Sequence, residues 1–184
     1  MTIGVGILLG GQSSRMGEPK HLIKIDEEQT LMDFMVSFAT TISETVITVG
    51  GQYGSLPYVP DQRFETGPLA GVEALLHSRI CNRYLILGCD MPYIDNHSVQ
   101  PLLVSTHSAA FIYEERVYGL PCVIDASCAT VCTECLNEGM RSLKDFLRLI
   151  NCELIPATSE LTTSFSSLNS LSDVHHFTLK RGRA

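Results

Sequence analysis

The sequence predicts a three-layer α/β/α domain with a mostly parallel β-sheet. Short apolar runs alternate with segments of helical periodicity along the chain, as expected for strands joined by crossover helices. No repeat or low-complexity segment interrupts this alternation. The 184 residues are therefore interpreted as a single domain, 1–184, which is long enough to bury about 70% of its extended surface.

Each element is predicted from its own pattern. The apolar runs predict strands, and Leu31, Phe34 and Met35 recur at helical spacing in the first helix. Strands that follow one another through helices pair in parallel by right-handed crossovers, so helices should cover both faces of the sheet. Strands are expected at 3–9, 45–50, 57–60, 83–89, 109–113, 120–125 and 152–156; helices at 29–42, 68–79, 96–104, 126–138, 141–149 and 171–178; and a Ser/Thr-rich loop at 159–170.

The first strand leads into a glycine-rich turn, Gly10–Lys20, that carries two basic residues. Glycines and small hydroxyl residues at a strand end bring backbone N–H groups close to an anion, and Arg15 and Lys20 would neutralise its charge. The spacing fits neither the Walker pattern nor the Gly-x-Gly-x-x-Gly dinucleotide fingerprint. The turn predicts a phosphate site at a sheet edge, with an ordinary tight turn as the alternative.

A second apolar strand, Tyr84–Cys89, is followed by the carboxylate of Asp90. A carboxylate at the end of a buried strand is costly to hold without a partner. Mg²⁺ is a suitable partner, because it binds one or two carboxylates together with substrate oxygens. Asp90 is therefore a candidate metal ligand; the alternative is an N-cap for the next helix, a role that Asp95 or Asn96 could equally fill. A phosphate turn and a metal carboxylate together indicate a nucleotide site.

These motifs resemble those of the MobA-type nucleotidyltransferases, the molybdenum cofactor guanylyltransferases. Leu8–Lys20 follows the family's Leu-Ala-Gly-Gly-x-Ser-x-Arg-Met-Gly-x-x-Lys signature, with Leu9 in place of its alanine. Asp61 and Gly67–Gly71 are similar to the family's Asp followed by Gly-Pro-Leu-Ala-Gly, and Cys89–Pro92 to its Cys-Asp-x-Pro. The resemblance implies a Rossmann-like nucleotidyltransferase (GT-A-like) sheet.

Three later segments extend the resemblance over nearly the whole chain. Gly119–Pro121 stands where the family has a proline before a strand, and Gly139–Leu143 resembles its Gly-x-Arg-Ser-Leu helix start. Leu168–Asp173 stands where the family carries Asn-x-Asn-Thr-Pro-Glu-Asp, although Ser-Leu replaces Thr-Pro. The resemblance places Asn169 on the acceptor side.

The resemblance implies transfer of GMP from GTP to a molybdopterin-type cofactor, with Mg²⁺ as the metal and pyrophosphate as the leaving group. Such a reaction asks the protein mainly to align the reactants and neutralise charge. Arg15, Lys20 and Asp90 are the implied catalytic residues, and Asp90 is also the implied metal ligand. The implied nucleotide-binding residues are Leu8, Leu9, Gly10, Gly11, Lys20, Gly51, Asp61 and Asp90.

Two nucleotide positions leave an alternative open. Asp61 would contact the guanosine or the bound cofactor, but an aspartate before a Gly-Pro turn is also a common turn former. Gly51 lies in a stretch, 48–52, where the family uses an asparagine to hold the nucleotide. Since this chain has no asparagine there, either the Gly51 backbone replaces it or base selection differs. The polar segment 61–67 is expected to form a mobile lid.

Composition excludes several other classes of function. A net charge of −7 argues against nucleic acid as a partner. No run approaches the roughly 18 apolar residues of a membrane span, and no signal peptide is legible, so no membrane partner and a cytoplasmic location are expected. The expected partners are GTP, the molybdopterin-type cofactor, and other molybdenum-cofactor biosynthesis or acceptor proteins.

Three cysteines, Cys128, Cys132 and Cys135, have the Cys-x3-Cys-x2-Cys spacing of radical S-adenosylmethionine enzymes. The same spacing marks one face of a helix, and free cysteine is a common buried residue. A buried helix face is therefore the favoured interpretation.

Three alternative functions stay open. They are a cytidylyltransferase for the same cofactor, a sugar- or alcohol-phosphate nucleotidyltransferase, and a non-catalytic carrier of the cofactor. The Gly10-Gly11 pair favours guanine, because cytidine-type relatives tend towards Ala-Ala-Gly. The altered motif around Asn169 motivates the carrier, whereas the presence of Arg15, Lys20 and Asp90 argues against it.

Overall fold

A computed structural model describes residues 2–9, 22–63, 67–168, 172–174 and 177. Within these ranges strands and helices alternate as predicted from the sequence. The strands are β1 (Ile3–Leu8), β2 (Val46–Val49), β3 (Tyr58–Val59), β4 (Arg83–Gly88), β5 (Ala109–Tyr113), β6 (Arg116–Asp125) and β7 (Glu153–Pro156). The helices are α1 (Leu31–Ile42), α2 (Pro68–Ser78), α3 (Asn96–Val104), α4 (Ala129–Asn137), α5 (Leu143–Leu149) and α6 (Ser159–Ser164).

The seven strands described form one sheet in the order β3-β2-β1-β4-β6-β5-β7. β1 pairs in parallel with β2 and β4, β2 with β3, and β5 with β7, which confirms the mostly parallel α/β sheet. β6 is antiparallel to both of its neighbours. It runs back because only Glu114 and Glu115 separate it from β5; both have positive φ angles (46° and 63°), and so short a connection permits a hairpin but no crossover.

The core lies in two layers, one on each face of the sheet. Successive side chains of β4 alternate between them, so Tyr84 and Ile86 face α2, α4 and α5, while Leu85 and Leu87 face α1 and α3. All six residues of β4 are buried, as expected for a central strand that helices cover on both sides. The three-layer prediction is therefore confirmed.

Helix α4 and the turn that precedes it carry the three spaced cysteines. Cys132 and Cys135 are buried against the sheet, and Cys128 is half-buried in the turn that precedes the helix. Desolvation raises the pKa of Cys132 to about 12, so its thiol stays protonated and packs as a small apolar group. The helix-face interpretation accounts for this spacing.

Two details differ from the predicted elements, and a third agrees with them. Ser159–Ser164 is helical, although a loop was expected, because its hydroxyls complete the backbone hydrogen bonds: Thr158 caps Leu161 N–H, and the Thr162 hydroxyl donates to the Ser159 carbonyl. Pro121 lies inside β6 rather than before it, since the strand begins at Arg116 and passes through a cis Leu120-Pro121 bond. Residues 172–174 and 177 are helical within the predicted helix 171–178.

In the described part of the chain, no helix combines the length and apolar character needed to cross a bilayer.

Candidate active site

The candidate site lies where four parallel strands end at one edge of the sheet. Leu8, at the end of β1, is in register with Val49 of β2 and Gly88 of β4, and Val49 is in register with Val59 of β3. The chain passes from β1 to β2 on one side and returns through α2 to β4 on the other. The carboxyl edge beside such a change of direction is where open α/β sheets bind ligands.

Backbone hydrogen bonds extend the sheet by one residue at this edge. Leu9 N–H donates to the Val49 carbonyl (2.9 Å), and Cys89 N–H donates to the Leu8 carbonyl (3.1 Å). The glycine-rich turn therefore leaves from a rigid strand end between β2 and β4. Its own residues, including the predicted Gly10, Gly11, Arg15 and Lys20, lie outside the described residues.

Gly51 and Leu9, two of the predicted nucleotide-binding residues, are neighbours here. A Cβ atom on Gly51 would lie 3.3 Å from Leu9 Cδ1, so a side chain at this position would press on the end of β1. The loop that follows Gly51 is held on α1, where the Tyr53 hydroxyl donates to Asp33 Oδ1 (2.8 Å). Hydrogen bonds from Thr30 hold the pKa of Asp33 below its usual value and keep it an acceptor.

Asp61, which follows β3, lies against two glycines of the same edge. A Cβ atom on Gly50 would be 3.0 Å from Asp61 Oδ2, and one on Gly71 would be 3.4 Å from Oδ1. Gly50 also has a φ of 83°, which favours glycine. The residue is exposed to solvent, but desolvation of its carboxylate by this close packing raises its pKa. Asp61 is thus accessible to a ligand from the solvent side, while its carboxylate lies close to Gly50 and Gly71.

Asp90 is half-buried directly beyond β4. Its carboxylate turns back over the strand end, since a Cβ atom on Gly88 would lie 2.8 Å from Asp90 Oδ1. The alternative role as a helix cap is wrong: the cap of α3 is Asp95, whose side chain accepts from Ser98 N–H (2.7 Å). The Asp90 carbonyl accepts from Leu168 N–H (2.9 Å), which brings the C-terminal part of the chain to this edge.

A groove of about 740 Å³ opens beside the end of β4. Leu120 connects the two, because it lines the groove and its Cδ1 would lie 3.6 Å from a Cβ atom on Gly88. Among the described lining residues, three are basic and none is acidic. The lining comprises Pro68, Arg116, Tyr118, Gly119, Leu120, Arg141, Ser142, Leu143, Lys144, Thr162, Thr163, Phe165, Ser166 and Ser167.

Aromatic and basic groups are paired in this groove. The Arg116 guanidinium carbon lies 5.3 Å from the centre of the Tyr118 ring, and Tyr118 meets Phe165 edge to face at 5.4 Å. Arg141 donates to the carbonyls of Leu136 and Met140, which fixes the end of α4 at the groove rim. The groove therefore suits an anionic ligand with a flat ring.

The chain matches the model of the MobA-like NTP transferase domain over residues 5–154. It belongs to that family. The predicted resemblance is thus confirmed, and so is the class of enzyme, a nucleotidyltransferase.

Curated and solved relatives agree with the family. A molybdenum cofactor guanylyltransferase of Yersinia pestis (strain Pestoides F) is 28% identical over 186 residues, covering 95% of this chain and 94% of that one. The solved structure of molybdopterin-guanine dinucleotide biosynthesis protein A from Archaeoglobus fulgidus has a TM-score of 0.80 at 16% identity, covering 98% and 100%. The 2-C-methyl-D-erythritol 4-phosphate cytidylyltransferase of Thermus thermophilus has a TM-score of 0.69 at 12% identity, covering 97% and 98%.

In this member of the MobA-like family, the structure brings five of the predicted site residues to one edge: Leu8, Leu9, Gly51, Asp61 and Asp90. Asn169 lies outside the described residues, next to Leu168. Sequence reasoning missed the basic groove residues Arg116 and Lys144, because single cations in an ordinary strand and helix carry no local signal. The Gly139–Leu143 motif was a partial pointer, since it contributes Arg141, Ser142 and Leu143 to the groove.

Proposed function

We propose that this chain transfers GMP from GTP to a molybdopterin-type cofactor. The observation that carries the proposal is the meeting of Leu9, Gly51, Asp61 and Asp90 at the carboxyl edge of four parallel strands, in a chain of the MobA-like family. The names of the Yersinia pestis and Archaeoglobus fulgidus relatives support the choice of reaction.

In this reaction an acceptor phosphate oxygen forms a bond to the α-phosphorus of GTP. The bond between that phosphorus and the bridging oxygen to the β-phosphate breaks, and pyrophosphate leaves with the electron pair. The protein's tasks are alignment and charge neutralisation. Arg15 and Lys20 supply the positive charge in this proposal, in a turn that begins at the described end of β1.

The base lies near Asp61 in the proposal. Guanine presents N–H donors on its pairing edge, including its 2-amino group, and an exposed carboxylate can accept from them. The backbone at Gly51 provides the nearby amide and carbonyl groups where the family's asparagine is missing. Glycine at positions 50 and 71 supports this role, because a side chain at either position would crowd the Asp61 carboxylate.

The donor set at the end of β4 fits Mg²⁺, which needs only one or two protein carboxylates and completes its shell with phosphate and water oxygens. Asp90 would hold the ion, which when bound neutralises charge on the reacting phosphates. Half-burial supports this role, and so does glycine at position 88, which leaves room for the Asp90 carboxylate at the end of β4.

The acceptor occupies the groove in this proposal. A molybdopterin-type cofactor has a phosphate and a flat ring system, which match the basic residues Arg116 and Lys144 and the aromatic Tyr118. The bond from Leu168 N–H to the Asp90 carbonyl supports a role for Asn169 near the junction of the two substrates. The reaction and any protein partners that supply or receive the cofactor are proposed to be cytoplasmic.

A turnover assay tests the proposal. Purified protein, Mg²⁺ and molybdopterin-type cofactor are incubated with GTP, CTP, ATP or UTP, and pyrophosphate and the dinucleotide product are measured. Of the four triphosphates, only GTP should give both pyrophosphate and the dinucleotide. Product from CTP instead would establish the cytidylyltransferase alternative, which the shared fold with the Thermus thermophilus enzyme permits. Cofactor binding without product from any triphosphate would establish the carrier.

A further inference from the structure

An ion pair ties the loop that carries Asp61 to helix α2. Arg63 Nε lies 2.7 Å from Glu73 Oε2, and Arg63 Nη2 donates to Glu73 Oε1 at 2.9 Å. The same Nη2 donates to Asn137 Oδ1 of α4 (2.8 Å). The planar guanidinium thus joins the loop to two helices with a fork of directed hydrogen bonds, which lysine cannot form.

Glu73 is an unusual residue for its place. It is 2% exposed and lies in a stretch of α2, Leu69–Leu76, that is buried throughout. Desolvation alone would raise its pKa, but hydrogen bonds from Arg63 and Thr133 hold the pKa below its usual value. Replacing a buried ion pair by apolar residues of similar size is often neutral or stabilising, so the pair is weak evidence for a purely stabilising role.

The geometry points to a positional role instead. Asp61 lies against Gly71 of α2. Two residues further along the loop, Arg63 pairs with Glu73, which is two residues further along the helix. The loop therefore contacts α2 at two adjacent points, Asp61 and Arg63. Among the described residues, only Arg63 of these two forms hydrogen bonds to α2. Movement at Arg63 would be passed to Asp61 through a single intervening residue.

We infer that Arg63, held by Glu73, is a positioning residue that sets the Asp61 carboxylate for nucleotide binding. The inference rests on the proposed function, in which Asp61 contacts the base. Arg63 itself donates to Glu73 of α2 and to Asn137 of α4, and in the proposal it does not contact the base. Its loss should weaken nucleotide binding with little direct effect on the chemical step.

The test uses Arg63→Met with Arg148→Met as its matched control. Arg148 also forms an ion pair, with Asp145, but both side chains are at least half exposed and lie on α5. We expect Arg63→Met to raise the KM for GTP and the Kd measured by calorimetry about tenfold, which corresponds to about 1.4 kcal/mol, with kcat changed less than twofold. Arg148→Met should change neither.

Three further variants separate positioning from stability. Arg63→Met combined with Glu73→Met removes the buried charge and should recover thermal stability, but the tenfold loss of GTP affinity should persist. In an Asp61→Asn background, Arg63→Met should have no further effect on affinity, because the group that it positions is gone. Arg63→Lys, which keeps the charge without the fork, should give an intermediate loss.

The inference is overturned if the double Met variant regains wild-type GTP affinity, or if Arg63→Met weakens binding equally with and without the Asp61 carboxylate. If the wild-type protein binds a triphosphate other than GTP, that result contradicts only the proposal that the base is guanine. The same series would then be run with that nucleotide, and the same outcomes would decide the role of Arg63.

Discussion

At the scale of single residues, two acids that follow β4 divide their roles by position. Asp95 accepts the Ser98 N–H and begins α3, whereas Asp90 turns back over Gly88 at the sheet edge. One carboxylate therefore stabilises a helix, and the other faces the proposed site. The two can be distinguished by matched substitutions.

We expect Asp90→Asn to lower kcat at least a hundredfold, equivalent to about 2.7 kcal/mol, with little change in the free energy of unfolding, because it removes the proposed metal ligand but keeps the side-chain shape. Asp95→Ala should show the reverse: a loss of about 1 kcal/mol of stability from the missing N-cap, with kcat nearly unchanged. Steady-state kinetics and urea denaturation measure both. Wild-type turnover by Asp90→Asn would contradict the metal role.

Asp61 should make the stability of the fold depend on pH. Desolvation raises the pKa of Asp61 in the folded state above its value in the unfolded state. The ionised carboxylate therefore destabilises the fold at pH values above the folded-state pKa, and the effect is absent at pH values below the unfolded-state pKa. Asp61→Asn should therefore raise Tm at pH 7, and the gain should vanish on acidification to about pH 3, below the usual aspartate pKa. GTP affinity should fall in the same variant. A lower Tm at pH 7 would show that the carboxylate makes net stabilising contacts.

At the scale of elements, the groove depends on the start of β6 and the start of α5. The two-residue hairpin brings Arg116 and Tyr118 to the groove, and the Ser142 cap sets the direction of α5 and hence of Lys144. Neither element is part of the glycine-rich turn or of the strand ends. Acceptor binding should therefore be separable from nucleotide binding.

We expect Arg116→Ala and Lys144→Ala each to raise the KM for the molybdopterin-type acceptor about tenfold, as for loss of a charge-assisted contact, with the Kd for GTP unchanged. Arg148→Ala, an exposed arginine on α5 outside the groove lining, is the control. Equal losses of GTP affinity would mean that the groove holds the triphosphate rather than the acceptor.

At the scale of the whole molecule, the nucleotide should stabilise the fold. The proposed site joins the ends of β1, β2 and β4 with the loop on α2, so a ligand there contacts several elements at once. GTP with Mg²⁺ at a hundred times its Kd should add about 2.7 kcal/mol to the free energy of unfolding. A thermal-shift series with four triphosphates measures this, and equal shifts with all four would contradict guanine selectivity.

Most of the fold could be predicted from the sequence, since all seven strands and five of the helices lie within a few residues of their expected positions. Helix α6 was missed because Ser and Thr favour loops and helix caps equally, and only the hydrogen bonds of Thr158 and Thr162 decide between them. The sequence prediction assigned no direction to β6; the structure makes it antiparallel because only two residues separate it from β5.

The sequence by itself determined the family, the alternation of strands and helices, and which of the proposed site residues lie next to strand ends. These are local properties: an apolar run, a glycine pair or an acid after a strand has the same meaning wherever the chain goes. Tertiary structure alone decided that Asp95 rather than Asp90 caps α3, that Arg116 and Lys144 share one groove, and that Arg63 meets a buried Glu73. Such pairings join residues that are distant in sequence, and they exist only once the sheet order has brought their elements together.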